Sequence, residues 1–552
     1  MEQHAKSGHP KGLYVLFTTE MWERFNFYGM RAILALFMVN ALRFSEAEAS
    51  VIYGGFLGLC YLTPMLGGFI SDRYWGNRAC ILFGGTTMAI GQIIMFISAS
   101  MYDSNQSLAT TFLWIALGVL IIGNGFFKPN ISSMVGSLYP KGDNRLDSAF
   151  TIFYLGINLG AFIGITVCPL LGDVKLEDGT RVISAFKWGF LAAGAAMLLG
   201  TVVFLILKNK YITTPEGKPI GGKPSSREDA EHGEKSQFSN AAIIGAVGGL
   251  AVLFFIFFKL VGVNPIYSFI YSSGLTLAGF ILTDKSLTKQ ERDRIIVLYF
   301  VAFFVIFFWA CFEQAGSSLT FIADNQTDTH VFGWQMPPSL VQNANSLFII
   351  IFAFPFSWLW LWMARKNIEP TSPFKQGIGL LLIALGYLII AFVVKDIGNN
   401  DKIAVMWLVV LYLLHTLGEL CLSPIGLSLV AKLAPMRFSS LLMGVWFLAN
   451  AAGYALTGTL GALLPPTGDK YINAEKMGID LKGVLDKTVT LDQGQMKLLA
   501  DANIPTEYPA FAGFQIHNLY EFFMVFVILP GAAGIILLLL TKWLKKMMHG
   551  VR

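Results

Sequence analysis

Long apolar runs separated by short polar ones dominate this chain. A membrane-crossing helix needs about 20 apolar residues. Such runs occur at 13–40, 48–71, 79–99, 110–138, 146–171, 186–208, 241–258, 265–283, 293–315, 339–364, 373–395, 403–431, 439–464 and 518–545. They predict fourteen transmembrane helices and an all-α polytopic membrane protein. An even number of crossings puts both termini on one side. The stretch 209–240, with Gly, Pro, Lys and Glu, reads as a linker between two halves. The runs at 241–258 and 265–283 hold no charged residue, and only Lys259 stands at the end of the first. They read as an inserted hairpin, 241–283. The expected organisation is an N-terminal six-helix bundle (13–208), the linker, the hairpin, and a C-terminal six-helix bundle (293–545). The latter carries a loop at 465–515, whose alternating Lys, Asp and Glu suggest a solvated outer segment.

Composition supports the pattern. Apolar residues make up 55% of the 552, and charged residues only 14%, against roughly 25% in a soluble domain. So much apolar surface cannot be hidden in a dispersed globule. This excludes a disordered chain, a nucleic-acid partner and an ordinary soluble enzyme. The net charge of +5 is too small to mark a polyanion ligand. Cys60, Cys80, Cys168, Cys311 and Cys421 lie in or beside apolar runs without metal-ligand spacing, so no disulfide framework, metal or cofactor is expected. Residues 1–12 are polar and lack the pattern of a cleaved signal peptide, so the first span is expected to remain as a helix. With the N-terminus inside, most of the 40 Lys and Arg fall on inner segments. Both termini are therefore expected in the cytoplasm.

A few charges lie inside the spans. Glu20, Glu23, Arg24, Phe27, Tyr28 and Arg31 recur at helical spacing, so they form one face of the first helix. Each such charge costs about 2.5–3.5 kcal/mol on insertion scales. The face must point at a bundle interior or a watery cavity. Ion pairing that only locks helices together is the alternative. Lys128 stands mid-span beside Pro129, placed for an anion or for Glu20 and Glu23. Glu313 and Glu419 supply acids to the second half. A cavity between the halves would be positive on one wall and negative on the other. That suits a zwitterion with separated charges. The extra acid provides a carboxylate able to take up a proton. His415 reads as a hydrogen-bonded structural residue. Gly123-x₅-Pro129 recurs as Gly418-x₅-Pro424, as pseudo-symmetric transporter halves would show. Asp72 and Arg73, in the Gly68-to-Arg78 loop, can bond helix ends and form a breakable latch.

These residues together resemble the proton-dependent oligopeptide transporter family of the major facilitator superfamily, in its bacterial form. Glu20-x-x-Glu23-Arg24-Phe25-x-Phe27-Tyr28-Gly29 is similar to its ExxERFxYYG motif, with Phe27 in place of Tyr. Phe153-Tyr154-Leu-Gly-Ile-Asn158-Leu-Gly160 resembles its FYxxINxG motif. Gly68-x₃-Asp72-Arg73 resembles the superfamily loop signature. The resemblance runs from residue 13 to about 545. It implies the major facilitator fold with two six-helix bundles plus the hairpin. It also implies proton-coupled import of di- and tripeptides across the inner membrane.

By that resemblance Glu20, Glu23 and Arg24 couple protonation to transport. Arg31 and Lys128 hold the peptide carboxylate; Glu419, Asn158 and Asn345 hold its ammonium. Tyr28, Tyr61, Tyr154, Trp309, Ser423 and Trp446 line the cavity, and Glu313 serves a gate. Animal members carry a His where Gly54 stands, so proton handling would rest on carboxylates. Three other readings fit the residues less well. A family member for nitrate or a dicarboxylate would not need Glu419. A membrane hydrolase needs HExxH, GxSxG or a similar set, and none occurs. A channel needs a filter-like repeat. Oligomeric state is not legible.

Overall fold

The computed structural model describes residues 8–140, 143, 145–176, 179–214, 217–223, 238–398 and 401–550. Its long helices are α1 (Lys11–Asn40), α2 (Glu46–Trp75), α3 (Asn77–Met101), α4 (Gln106–Ser137), α5 (Leu146–Gly172), α6 (Phe186–Tyr211) and α7 (Asn240–Val261). They continue as α8 (Pro265–Leu282), α9 (Lys289–Phe312), α10 (Asn343–Arg365), α11 (Ser372–Val393), α12 (Val405–Leu433), α13 (Ser439–Gly461) and α14 (Leu519–Met547). Among the described residues, 13 helices are long and apolar enough to cross a membrane. α1 has the length, 30 residues, and its charged face keeps it off that count. The protein is an all-helical polytopic membrane protein, as the apolar pattern predicts.

Helix starts follow local chemistry. Asn105, Ser239, Asn264 and Asn518 each accept a first-turn N–H, of Leu108, Ala242, Tyr267 and Glu521 respectively. Thr288 and Glu291 form a reciprocal capping box at α9. Such a cap is worth about 1 kcal/mol. α9 ends in a tight turn, Glu313–Gly316, before a short helix, Ser318–Asn325.

The chain divides into two compact units. The first comprises Met1–Phe37 and Leu62–Ala230. Here α5 lies against α1 through small residues four apart. A Cβ on Gly156 would meet the Phe17 ring, and one on Gly160 would meet the Met21 carbonyl. A Cβ on Gly164 would lie 2.5 Å from the Phe25 carbonyl oxygen. Gly29 returns the fit toward the Cys168 sulfur at 2.5 Å. The glycines therefore set how close the charged helix sits to its neighbour. Gly164→Leu should force the two helices apart and cost about 1–3 kcal/mol. A lowered thermal unfolding midpoint in detergent would show this; an unchanged midpoint would refute it.

Asp72 and Arg73 lie on a wide turn, Ser71–Trp75. Arg73 covers the Phe69 ring at 4.8 Å. Among the described residues neither side chain makes a hydrogen bond or ion pair. Arg78 instead makes the latch of this loop. Its guanidinium donates to the carbonyls of Ile220, Lys208 and Ile212 and to Asn209 Oδ1. The start of the 209–240 stretch is thereby tied to α3; its residues 224–237 lie outside the described residues.

The second unit comprises Met38–Tyr61 and Glu231–Arg552. It includes the end of α1 and the first part of α2. Gly54 lets α2 approach α13: its Cβ would sit 2.7 Å from Gly458 N. Ser317 donates to Ser50 at 2.8 Å. α8 packs on α13, and the Tyr267 hydroxyl donates to the Val51 carbonyl at 2.8 Å. α7 contains no fully buried residue and packs on α8, with Phe257 against Tyr271, so most of its surface is left to lipid.

The 465–515 loop is more structured than its polar pattern suggests. Helices Gly468–Lys476, Leu481–Leu485 and Gln493–Asp501 enclose a small core of Ala474, Ile479, Leu481, Val484, Leu485, Leu499 and Ile504. Asp480 and Asp492 cap two of these helices. The few apolar residues are too widely spaced for a spanning run, yet they meet once the short helices turn.

Candidate functional site

In the first unit, the charged face of α1 is buried. Arg24 Nε donates to Glu20 Oε1 at 2.7 Å and lies 2.9 Å from Glu23 Oε2. Two carboxylates thus share one guanidinium, four and one residues away along the helix. Glu20 is 1% exposed, Glu23 0% and Arg24 4%. Asn124, on α4, donates to Glu23 Oε1 at 3.4 Å. The Lys128 charge, one turn further along α4, also acts on Glu23. Glu20 Oε2 has no hydrogen-bond partner among the described residues. At close range the two acids face the Arg24 guanidinium, and Glu23 also feels the Lys128 ammonium.

Arg31 lies two turns further along the same face. Its guanidinium covers the Tyr28 ring at 4.7 Å. Phe27 packs edge-on to Tyr28 at 5.5 Å. Asn158 of α5 is 7% exposed and donates to the Tyr154 carbonyl one turn earlier. Tyr154 itself is exposed. The structure therefore gathers the buried Glu20, Glu23 and Arg24 into one cluster, with half-buried Lys128 beside it.

The second unit supplies a different set. Asn345 of α10 donates to Glu419 Oε2 at 3.1 Å and to Thr416 Oγ1 at 2.9 Å. Thr416 in turn donates to the Tyr412 carbonyl one turn back. This chain of donors aims the Glu419 carboxylate. Trp309, Tyr454 and Tyr61 form an aromatic row, with centroids 5.8 Å and 4.5 Å apart. Trp446 is buried with its ring over Gly426. Ser423 is half-buried one turn beyond Glu419. Glu313 is 4% exposed in the turn that interrupts α9, and its Oε2 accepts from the Tyr53 hydroxyl at 3.5 Å.

Three contributors escape a reading of spacing: Asn124, Thr416 and Tyr53. Each is a single polar side chain in an apolar run, with no charge to flag it. Asn124 carried the one usable signal, one turn before Lys128 in the Gly-Asn-Gly repeat. His415 departs from expectation. It is fully buried among the Tyr387, Phe312 and Tyr412 rings, and neither ring nitrogen has a hydrogen-bond partner among the described residues. Its neighbours on α11 and α9 are aromatic, so it packs as an aromatic residue. Among the described residues no group of three or more His, Cys, Asp or Glu could hold a metal.

The sequence profile of the POT family (PTR2) matches residues 78–469. This chain belongs to the POT family. It is a transporter and not an enzyme. It is 35% identical to an uncharacterized transporter, YclF, of Bacillus subtilis, over 83% of this chain and 88% of that one. It is 33% identical to the peptide transporter YePEPT of Yersinia enterocolitica, over 82% of this chain and 88% of that one. Among solved structures it matches a POT family transporter in complex with 5-aminolevulinic acid. The TM-score is 0.73 at 29% identity, covering 98% of each chain. The POT fold accounts for the fourteen long helices.

Proposed function

We propose that this POT-family protein is a proton-coupled symporter that imports di- and tripeptides by alternating access. It acts in the cytoplasmic membrane, with both termini inside. The observation that carries the reading is the separation of charge by unit. The first unit carries the bases Arg24, Arg31 and Lys128, the first two of them buried. The second presents the Glu419 carboxylate on its Asn345 and Thr416 support. A peptide carries a carboxylate and an ammonium, and the two units between them offer a charge of opposite sign for each. The relative named a peptide transporter agrees. So does the relative that holds 5-aminolevulinic acid, a molecule with an acid and an amine.

In this reading Arg31 and Lys128 take the peptide carboxylate. Glu419, Asn345 and Asn158 take the ammonium. Tyr28, Tyr61 and Tyr154 bond the backbone, while Trp309, Ser423 and Trp446 shape side-chain pockets. Glu313 works with the outer gate, and Asp72 and Arg73 with the inner loop. Protonation at Glu20 or Glu23 weakens their hold on Arg24 and Lys128. Those bases then become available to the peptide, so proton and peptide affinities are linked. Neither a metal nor a cofactor enters the cycle.

The test is uptake of labelled dialanine by purified protein in liposomes. An inward proton gradient should drive accumulation well above empty vesicles. Uptake of nitrate or a dicarboxylate with no dialanine transport would replace the peptide reading.

A further inference from the structure

At one end of the second unit lies a polar cavity of about 560 Å³. Its walls come from the last turns of α12 and α14, the first turn of α11 and the α10–α11 connection. Glu369, Thr371, Ser372, Lys375, Lys432 and Lys545 line it. Among the described residues, three ammonium groups and one carboxylate line it.

Two of these lysines have an ordinary explanation. Lys432 and Lys545 stand in the last turns of their helices, where a cation complements the helix dipole. Lys375 has the opposite setting. It stands in the first turn of α11, where a cation opposes the dipole and an anion is favoured. Its side chain is only 7% exposed. Its ammonium lies 4.4 Å from the Trp360 ring centroid and 2.5 Å from Glu369 Oε1. That carboxylate is 40% exposed, so it pairs from the solvent side and can swing away. Thr371, the N-cap residue of α11, makes no capping bond. Its Oγ1 is buried with no hydrogen-bond partner among the described residues.

We infer that this cavity binds a phosphate group. The phosphate would replace Glu369 on Lys375, accept from the Thr371 hydroxyl and from the N–H groups of Ser372 and Phe374, and draw in Lys432 and Lys545. Phosphate matches this set because it offers several acceptor oxygens to donors converging from several sides. Its source is either the headgroup of an anionic lipid or a soluble phosphate. The cavity is separate from the Glu419 cluster and does not depend on the transport reading.

The experiment uses the full chain purified in detergent. Dioleoyl phosphatidylglycerol, dioleoyl phosphatidylcholine and inorganic phosphate are added separately. Retained lipid is read by native mass spectrometry and phosphate binding by calorimetry. Preferential retention of phosphatidylglycerol supports the lipid source; binding of inorganic phosphate without lipid preference supports the soluble source. Either should weaken about tenfold or more in a Lys375→Gln/Lys432→Gln variant, since charge-assisted bonds are lost. Glu369→Gln should tighten binding, because Lys375 loses its competing carboxylate. A purely structural lysine pair would not give that opposite sign, and the result stands even if the double variant fails to fold. No binding of any probe, or weaker binding in Glu369→Gln, overturns the inference.

Discussion

Glu23→Gln should abolish gradient-driven peptide uptake and leave counterflow exchange nearly intact. Glutamine keeps the shape and the acceptor that Asn124 meets at 3.4 Å. It cannot carry the transported proton, and it removes one of the two charges on Arg24. Exchange moves peptide both ways without net proton flow, so it needs only the binding groups. Linked sites typically couple by 1–3 kcal/mol, roughly 5–150-fold. The ratio of driven uptake to exchange should fall by at least that factor. Parallel reconstitutions of wild type and variant, with and without an imposed gradient, measure it. Equal loss of both activities would make Glu23 a structural ion-pair partner and end its proton role.

The second large effect concerns Glu419. Glu419→Gln should weaken dipeptide binding about 10- to 150-fold, the worth of a hydrogen bond to a charged group. Analogues that lack the ammonium should bind as they do to wild type. The substitution is close to isosteric, and the amide oxygen can still accept from Asn345 at the 3.1 Å position. Charge is therefore the main thing removed. Competition against labelled dialanine, with and without an N-acetyl block, separates the outcomes. If blocked and unblocked peptides weaken alike, Glu419 supports the bundle and does not read the ammonium.

Much of the helical frame was legible along the chain. Helix is the lipid-exposed backbone form open to such long apolar runs, because buried N–H and C=O groups need internal partners. The stripe from Glu20 to Arg31 was legible for a related reason. Charges are so costly in a membrane that their spacing alone marks a shared face. Neutral polar residues carry no such mark. Asn124, Thr416 and Tyr53 look like any scattered polar residue in an apolar run, and only contact with a carboxylate gives them a role. The 465–515 loop stands out in the sequence as a polar outer segment, but its small core does not, because the core residues are spread over short capped helices. His415 was read as a satisfied polar residue, since nothing near it in sequence shows that aromatic rings from α9 and α11 would surround it.

The sequence by itself determined the helix count, the charged stripe and the motif glycines. All three follow from local physics: the cost of unpaired backbone and charge in lipid, and the 3.6-residue period. Only the tertiary structure decided which atoms meet. It put two carboxylates on the one Arg24 guanidinium and Asn345 on Glu419. It grouped residues 38–61 with the second unit rather than the first. It also buried Lys375 at a helix N-terminus, beside a cavity that no motif announces. Contacts of that kind join residues distant in the chain, and their geometry is set by packing, which a linear pattern does not encode.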